Sequence, residues 1–181
     1  MEQELKWIRR IQRRRSERDA ELLIRKYYDE IYVYVYRQTG KKEDALDLTQ
    51  EIFISVLRSI GTFQPKKASF RTWVYRIATN KIIDERRKYR PAYLNIEDVE
   101  LPEEMDFIKR EDDRRLLNKI DVYVSALDGE TGQIFRLRVY QGMSFVEIGQ
   151  VLNIPEATVK TRFHRLKNKL RKEFEDEYQD T

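Results

Sequence analysis

Residues 142–174 read GMSFVEIGQVLNIPEATVKTRFHRLKNKLRKEF, and the punctuation of this stretch decides the fold. Ser144 precedes Glu147 at capping-box spacing, which starts a helix at Phe145. Phe145, Ile148, Val151 and Leu152 then line one face. Asn153-Ile154-Pro155 breaks that helix, and a longer one begins at about Glu156. A short helix, a tight turn and a longer helix make a helix-turn-helix.

The longer helix has two readable faces. On a wheel advancing about 100° per residue from Val159, the side chains of Phe163, Leu166 and Leu170 fall close together and form the core side. Ala157, Thr158, Lys160, Thr161, His164, Arg165 and Asn168 occupy the outward arc. Small residues at the start of that arc let the helix N-terminus approach a groove. The longer polar side chains then offer phosphate and base-edge contacts. An amphipathic helix that merely closes a bundle is the competing explanation. The capped short helix, the turn and the basic arc together favour DNA.

Upstream, the pattern stays helical, with only six glycines and four prolines in 181 residues. Leu22, Leu23, Tyr27, Ile31 and Tyr34 predict a helix from about Ser16 to Gln38, stopped by Gly40. A second helix is expected from Lys42 to Ser59, ending at Gly61, and a third from Phe70 to about Tyr89, ended by Pro91. Residues 91–113 contain two prolines and an acidic run, the composition of a linker. Further helices are expected at about 114–127, 130–141, 145–152 and 156–176. The fold class is therefore all-α, with two small helical domains joined by an acidic linker and the helix-turn-helix in the second. The boundaries are 1–92, 93–113 and 114–181.

Hydrophobic residues make up 40% of the chain and charged residues 38%, so cores exist but are modest. The net charge of +4 conceals a strong pattern. Residues 64–90 hold nine Lys/Arg against two acids, residues 96–113 nine acids against two bases, and residues 154–172 seven bases against one acid. Two basic blocks around an acidic one suggest two surfaces for anionic ligands. Cysteine is absent and His164 is the single histidine, so disulfides, thiolate sites and histidine-based metal sites are excluded. No nucleophile–base pair or phosphate-cradling glycine loop is present. No catalytic residue, metal, cofactor or small-molecule substrate is expected. The start of the chain alternates charged and apolar residues without a long apolar run, so the expected location is cytoplasmic.

The helix containing DALDLTQEIFISVL is apolar on two sides, with Leu48, Ile52 and Val56 opposite Leu46, Phe53, Ile54 and Leu57. One stripe belongs to the core, and the other is either buried centrally or docks a partner. Together with SFRTWVYRIATNKIIDERRK and MSFVEIGQVLNIPEATVKTRFHRLKNKLRK, this helix resembles the extracytoplasmic-function sigma factors of bacterial RNA polymerase. The motifs occur in family order from about residue 5 to 173. The resemblance implies a two-domain initiation factor that binds core RNA polymerase and recognises the minus-ten and minus-thirty-five promoter elements. By position, Asp47, Gln50, Glu51 and Phe53 would dock on polymerase. Lys66, Lys67, Arg76, Asn80, Arg86 and Arg87 would hold the melted minus-ten strand, with Asn80 suited to the edge of an unstacked base. Trp73, near Phe70 and Ile77 on the wheel, is expected in the core. Thr158, Lys160, Thr161, His164 and Arg165 would read the double-stranded minus-thirty-five element. The resemblance also implies an anti-sigma factor partner, often tethered to the membrane.

The sequence departs from the family pattern at Ala157, where many members have glycine, and at ALDGET, which replaces a usual Leu-Pro. A helix-turn-helix transcriptional regulator that does not bind core polymerase is the rival reading. It accounts for the C-terminal half and leaves the two N-terminal motifs without a role.

Overall fold

A computed structural model of the chain describes residues 2–88, 111–127 and 129–175. All regular elements among them are helical. In order they are α1 (Glu2–Arg14), α2 (Glu17–Thr39), α3 (Lys42–Ser59), α4 (Phe70–Lys88), α5 (Glu111–Ser125), α6 (Gly129–Val139), α7 (Phe145–Leu152) and α8 (Glu156–Glu173), with a 3-10 turn at Ile60–Thr62. The chain divides into two compact units, Met1–Ala92 and Tyr93–Thr181.

In the first unit, α2 is the central element. Ser16 caps its start, accepting from the Asp19 amide at 3.4 Å. Gly40 ends it in the left-handed region at φ 68, its N–H bonded to the Tyr36 carbonyl at 2.8 Å, as a C-terminal glycine should. Ile31 and Val35 of α2, Ile52 and Val56 of α3, and Val74, Tyr75 and Ala78 of α4 are all sealed from solvent. Leu22, expected on the buried stripe of α2, instead stands 37% exposed. It lies one position off the Leu23–Tyr27–Ile31–Tyr34 line, and that single step of the wheel turns it outward.

The apolar spacing predicts no element over residues 2–14, and α1 is the main addition. Its apolar residues are few, but Ile8 and Ile11 are both buried. Each contributes on the order of 1.5–3 kcal/mol of hydrophobic stabilisation. Glu4 is buried beside them and receives the Lys26 ammonium and the Tyr27 hydroxyl, the latter at 2.7 Å. Burial, reinforced by the Glu4 carboxylate, pushes the Tyr27 hydroxyl far above its ordinary pKa, so it remains a neutral donor. A second carboxylate, Glu30 of α2, accepts from Arg71 Nε at 2.6 Å, from Arg71 Nη2 and from the Tyr75 hydroxyl at 3.0 Å. These contacts lock the start of α4 onto α2.

The second unit packs Ile120 and Val124 of α5, Phe135 of α6, and Leu166 and Leu170 of α8 with Phe174 into one cluster. Arg162 of α8 is ion-paired with Glu130 of α6, which ties the long helix to its neighbour from the flank. Helix α5 begins at Glu111, inside the segment expected to be linker; the rest of that linker, 93–110, lies outside the described residues. Tyr89 and Asp176, the expected ends of two helices, lie outside them as well.

Candidate nucleic-acid interface

The helix-turn-helix is held by local bonds. The Ser144 hydroxyl accepts from the Glu147 amide at 3.2 Å, and the Glu147 carboxylate accepts from the Ser144 amide at 2.9 Å. Asn153 closes α7 in the left-handed region at φ 57. Gly149 is required where it stands, because a Cβ there would sit 2.8 Å from the Ile154 carbonyl oxygen. Past Pro155, Val159 and Leu166 point into the core.

The outward arc of α8 is exposed at Ala157, Lys160, Thr161, His164, Arg165 and Asn168. Thr158 departs from expectation: it is half-buried, one position from Val159 and on the edge of the packed side. Lys160 pairs with Glu156 at 2.7 Å, a surface pair weak enough to exchange for a phosphate. Thr161 donates its hydroxyl proton to the Ala157 carbonyl at 2.8 Å, leaving its oxygen as an acceptor and its methyl free for apolar contact. The His164 ring centre lies 6.0 Å from those of Phe145 and Phe163, a contact that steadies it on the surface.

In the first unit, the segment 64–69 is anchored at both ends. Phe63 is buried, its ring 5.2 Å from Phe70 and 5.4 Å from Trp73. At the far end, Ser69 caps α4 by accepting from the Thr72 amide at 3.0 Å. Lys66 and Lys67 sit on the exposed turn between these anchors. Trp73, expected in the core, is only half-buried, though its ring packs against Phe63 and Phe70.

Along α4, Arg76, Asn80 and Arg87 are exposed and share an arc of roughly 40° at 100° per residue. Arg86 does not join them. It is half-buried, turned aside by the helical step, and donates to the Gln38 carbonyl at 3.4 Å. Lys81 reaches Glu51 of α3 at 3.2 Å.

On α3, Asp47, Gln50 and Glu51 are exposed. Phe53 is not available to a partner in this arrangement: it is 5% exposed, with its ring stacked 5.9 Å from Tyr28. The second apolar stripe is therefore narrower than the wheel suggested. Its exposed member is Ile54, at 49%, flanked by half-buried Leu46 and Leu57. Ile54 lies between Asp47 and Gln50 in angle, so it belongs to the candidate surface in place of Phe53.

Residues 23–91 match Sigma-70 region 2, and residues 117–170 match Sigma-70 region 4. The ECF RNA polymerase sigma factor SigW of Bacillus subtilis is 37% identical over 161 residues, covering 83% of this chain and 86% of that protein. This chain belongs to the extracytoplasmic-function sigma factors. A similar relative is the ECF RNA polymerase sigma factor SigE of Mycolicibacterium smegmatis, 36% identical over 157 residues, 82% of this sigma factor and 59% of that one. Among solved structures, CnrH in complex with the cytosolic domain of CnrY aligns with a TM-score of 0.68 and 21% identity, covering 94% and 96% of the two chains. RpoE in complex with the anti-sigma factor NepR from Bartonella quintana aligns at 0.63 and 18%, covering 85% and 95%. At these identities the likeness concerns the fold. The sigma factor is an alternative initiation factor that works with core RNA polymerase and promoter DNA. Its region 2 match starts within α2, so α1 lies outside it. No described helix is long and apolar enough to cross a membrane.

Proposed function

We propose that the sigma factor divides promoter recognition between its two units by the residues described above. The exposed α3 surface of Asp47, Gln50, Glu51 and Ile54 docks on core polymerase. Lys66, Lys67, Arg76, Asn80 and Arg87 follow the melted minus-ten strand. Lys160, Thr161, His164 and Arg165 read the minus-thirty-five duplex, with Thr158 at the margin and Arg86 holding α4 to α2. The observation that carries this reading is that each family region bears its own exposed polar or basic arc, on α4 and on α8. The protein acts by binding, in the cytoplasm where polymerase works, and carries out no chemistry of its own.

Arg165→Ala and Lys160→Ala should each weaken use of the minus-thirty-five element, by about 1–3 kcal/mol where a base edge is contacted. Transcription in vitro by reconstituted holoenzyme, on promoter libraries varied at each element, checks this. An equal loss on every promoter variant would reduce these side chains to phosphate contacts or fold supports. On the same libraries, Asn80→Ala should change preference at one minus-ten position and leave the minus-thirty-five profile intact. A profile unchanged at every minus-ten position would remove Asn80 from the site.

Control by an anti-sigma factor is part of the proposal. The solved relatives CnrH and RpoE were captured with CnrY and NepR respectively. For this sigma factor, such a partner would cover the α3 surface and the outward arc of α8. It would compete with polymerase and promoter together.

A further inference from the structure

Helix α1 ends in a run of arginines that neither family region includes. Residues 9–18 carry arginine at positions 9, 10, 13, 14, 15 and 18 against a single glutamate, Glu17, and Asp19 follows. Arg10 is committed to Asp19, at 3.4 Å. Arg9, Arg13, Arg14, Arg15 and Arg18 are exposed, and none has a carboxylate partner among the described residues. Five guanidinium groups without carboxylate partners concentrate positive charge along one short stretch of surface, which favours an anionic ligand there.

The position of this run is fixed by Gln12. Its side-chain amide donates to the Ile60 carbonyl at 2.8 Å and to the Phe63 carbonyl at 3.2 Å. Phe63 is the anchor from which the Lys66–Lys67 turn begins. With Gln12 as zero, Arg9 and Arg13 lie at roughly 60° and 100°, while buried Ile8 and Ile11 lie at roughly −40° and −100°. Gln12, which clips the helix to the loop, thus lies between buried Ile8 and the Arg9–Arg13 side of α1.

We propose that Arg9 and Arg13 form a phosphate-binding ridge that extends the track of the minus-ten strand beyond Lys66 and Lys67. The occupant is the sugar-phosphate backbone of the promoter. Charge complementarity and continuity with the loop both favour it, and the planar fork of arginine matches phosphate oxygens better than a lysine point charge does. The ridge contributes affinity without sequence preference. This inference rests on the assignment of the 64–69 loop to the minus-ten strand.

The test is the salt dependence of promoter binding by holoenzyme reconstituted with the full chain. Arg9→Gln with Arg13→Gln should lower the slope of log K against log salt by about 0.7–0.9 for each phosphate that is no longer neutralised. Affinity for core polymerase and the thermal midpoint should stay at wild-type values, and Arg9→Lys with Arg13→Lys should restore most of the slope. A weakened grip on core polymerase with an unchanged slope would overturn the proposal, because the ridge would then dock on protein. The pair Lys66→Gln and Lys67→Gln serves as the reference. A slope reduced by the lysine pair but untouched by the arginine pair overturns the ridge and leaves the loop assignment standing. A slope reduced by the arginine pair alone overturns the loop assignment and, with it, the inferred continuity.

Discussion

Phe53→Asp should unfold the first unit, whereas Ile54→Asp, one position along the same helix, should leave it folded and impair polymerase binding. The Phe53 ring is buried against Tyr28, which stacks in turn on Tyr32 at 6.5 Å. Replacing it removes a large buried side chain, at a cost of about 3–5 kcal/mol. It also places a carboxylate in a buried position against the Tyr28 ring, which adds to the destabilisation. A small domain has on the order of 5–15 kcal/mol in total, so the two losses together remove much or all of that stability. Ile54 stands 49% exposed, and aspartate there meets water. Its effect should be read in affinity, as a loss of about ten-fold or more in competition for core polymerase, with the helical signal and melting midpoint retained. Gln50→Lys should behave as Ile54→Asp does. If Phe53→Asp melted like the wild type and only bound polymerase less well, the ring would belong to the interface after all.

The contrast between Phe53 and Ile54 also marks what the sequence could convey. A wheel resolves angle, and on α3 it separates two apolar sides correctly. It cannot say which neighbour covers which angle. Phe53 is covered because α2 presents Tyr28 there, a fact of tertiary packing; Ile54, roughly 100° further round, meets no such cover. Arg86 and Thr158 follow the same logic, since each sits within one helical step of its arc and the packed neighbour claims it. By contrast, features written in local chemistry were legible: the Ser144–Glu147 box, the left-handed Gly40, the break at Asn153-Ile154-Pro155, and the limits of α3. Helix α1 escaped because its apolar side chains are sparse among arginines. Besides the burial of Ile8 and Ile11, it is held by contacts to Lys26, Tyr27, Ile60 and Phe63, distant in sequence.

Gly149→Ala should damage the second unit more than its one added methyl suggests. The new Cβ would meet the Ile154 carbonyl oxygen at 2.8 Å and the Glu156 amide nitrogen at 3.6 Å. Both are backbone atoms of the turn, so no side-chain rotation relieves the contact. The same turn is held by the Ile154 amide, which donates to the Gly149 carbonyl at 3.0 Å. The methyl therefore pries at a bond it cannot avoid. Overpacking of this kind costs about 1–3 kcal/mol, and the expected relief is an opening of the angle between α7 and α8. Such an opening would carry Thr161, His164 and Arg165 away from their present position relative to α7. Loss of minus-thirty-five-dependent transcription should accordingly exceed what the fall in stability predicts, while the first unit melts as before. Gly61→Ala is the matched control, because a Cβ at Gly61 meets nothing within 4 Å. Full minus-thirty-five protection by Gly149→Ala holoenzyme, at an unchanged midpoint for the second unit, would show that the turn tolerates the methyl. The close approach of α7 to the Ile154 carbonyl would then not set the recognition geometry.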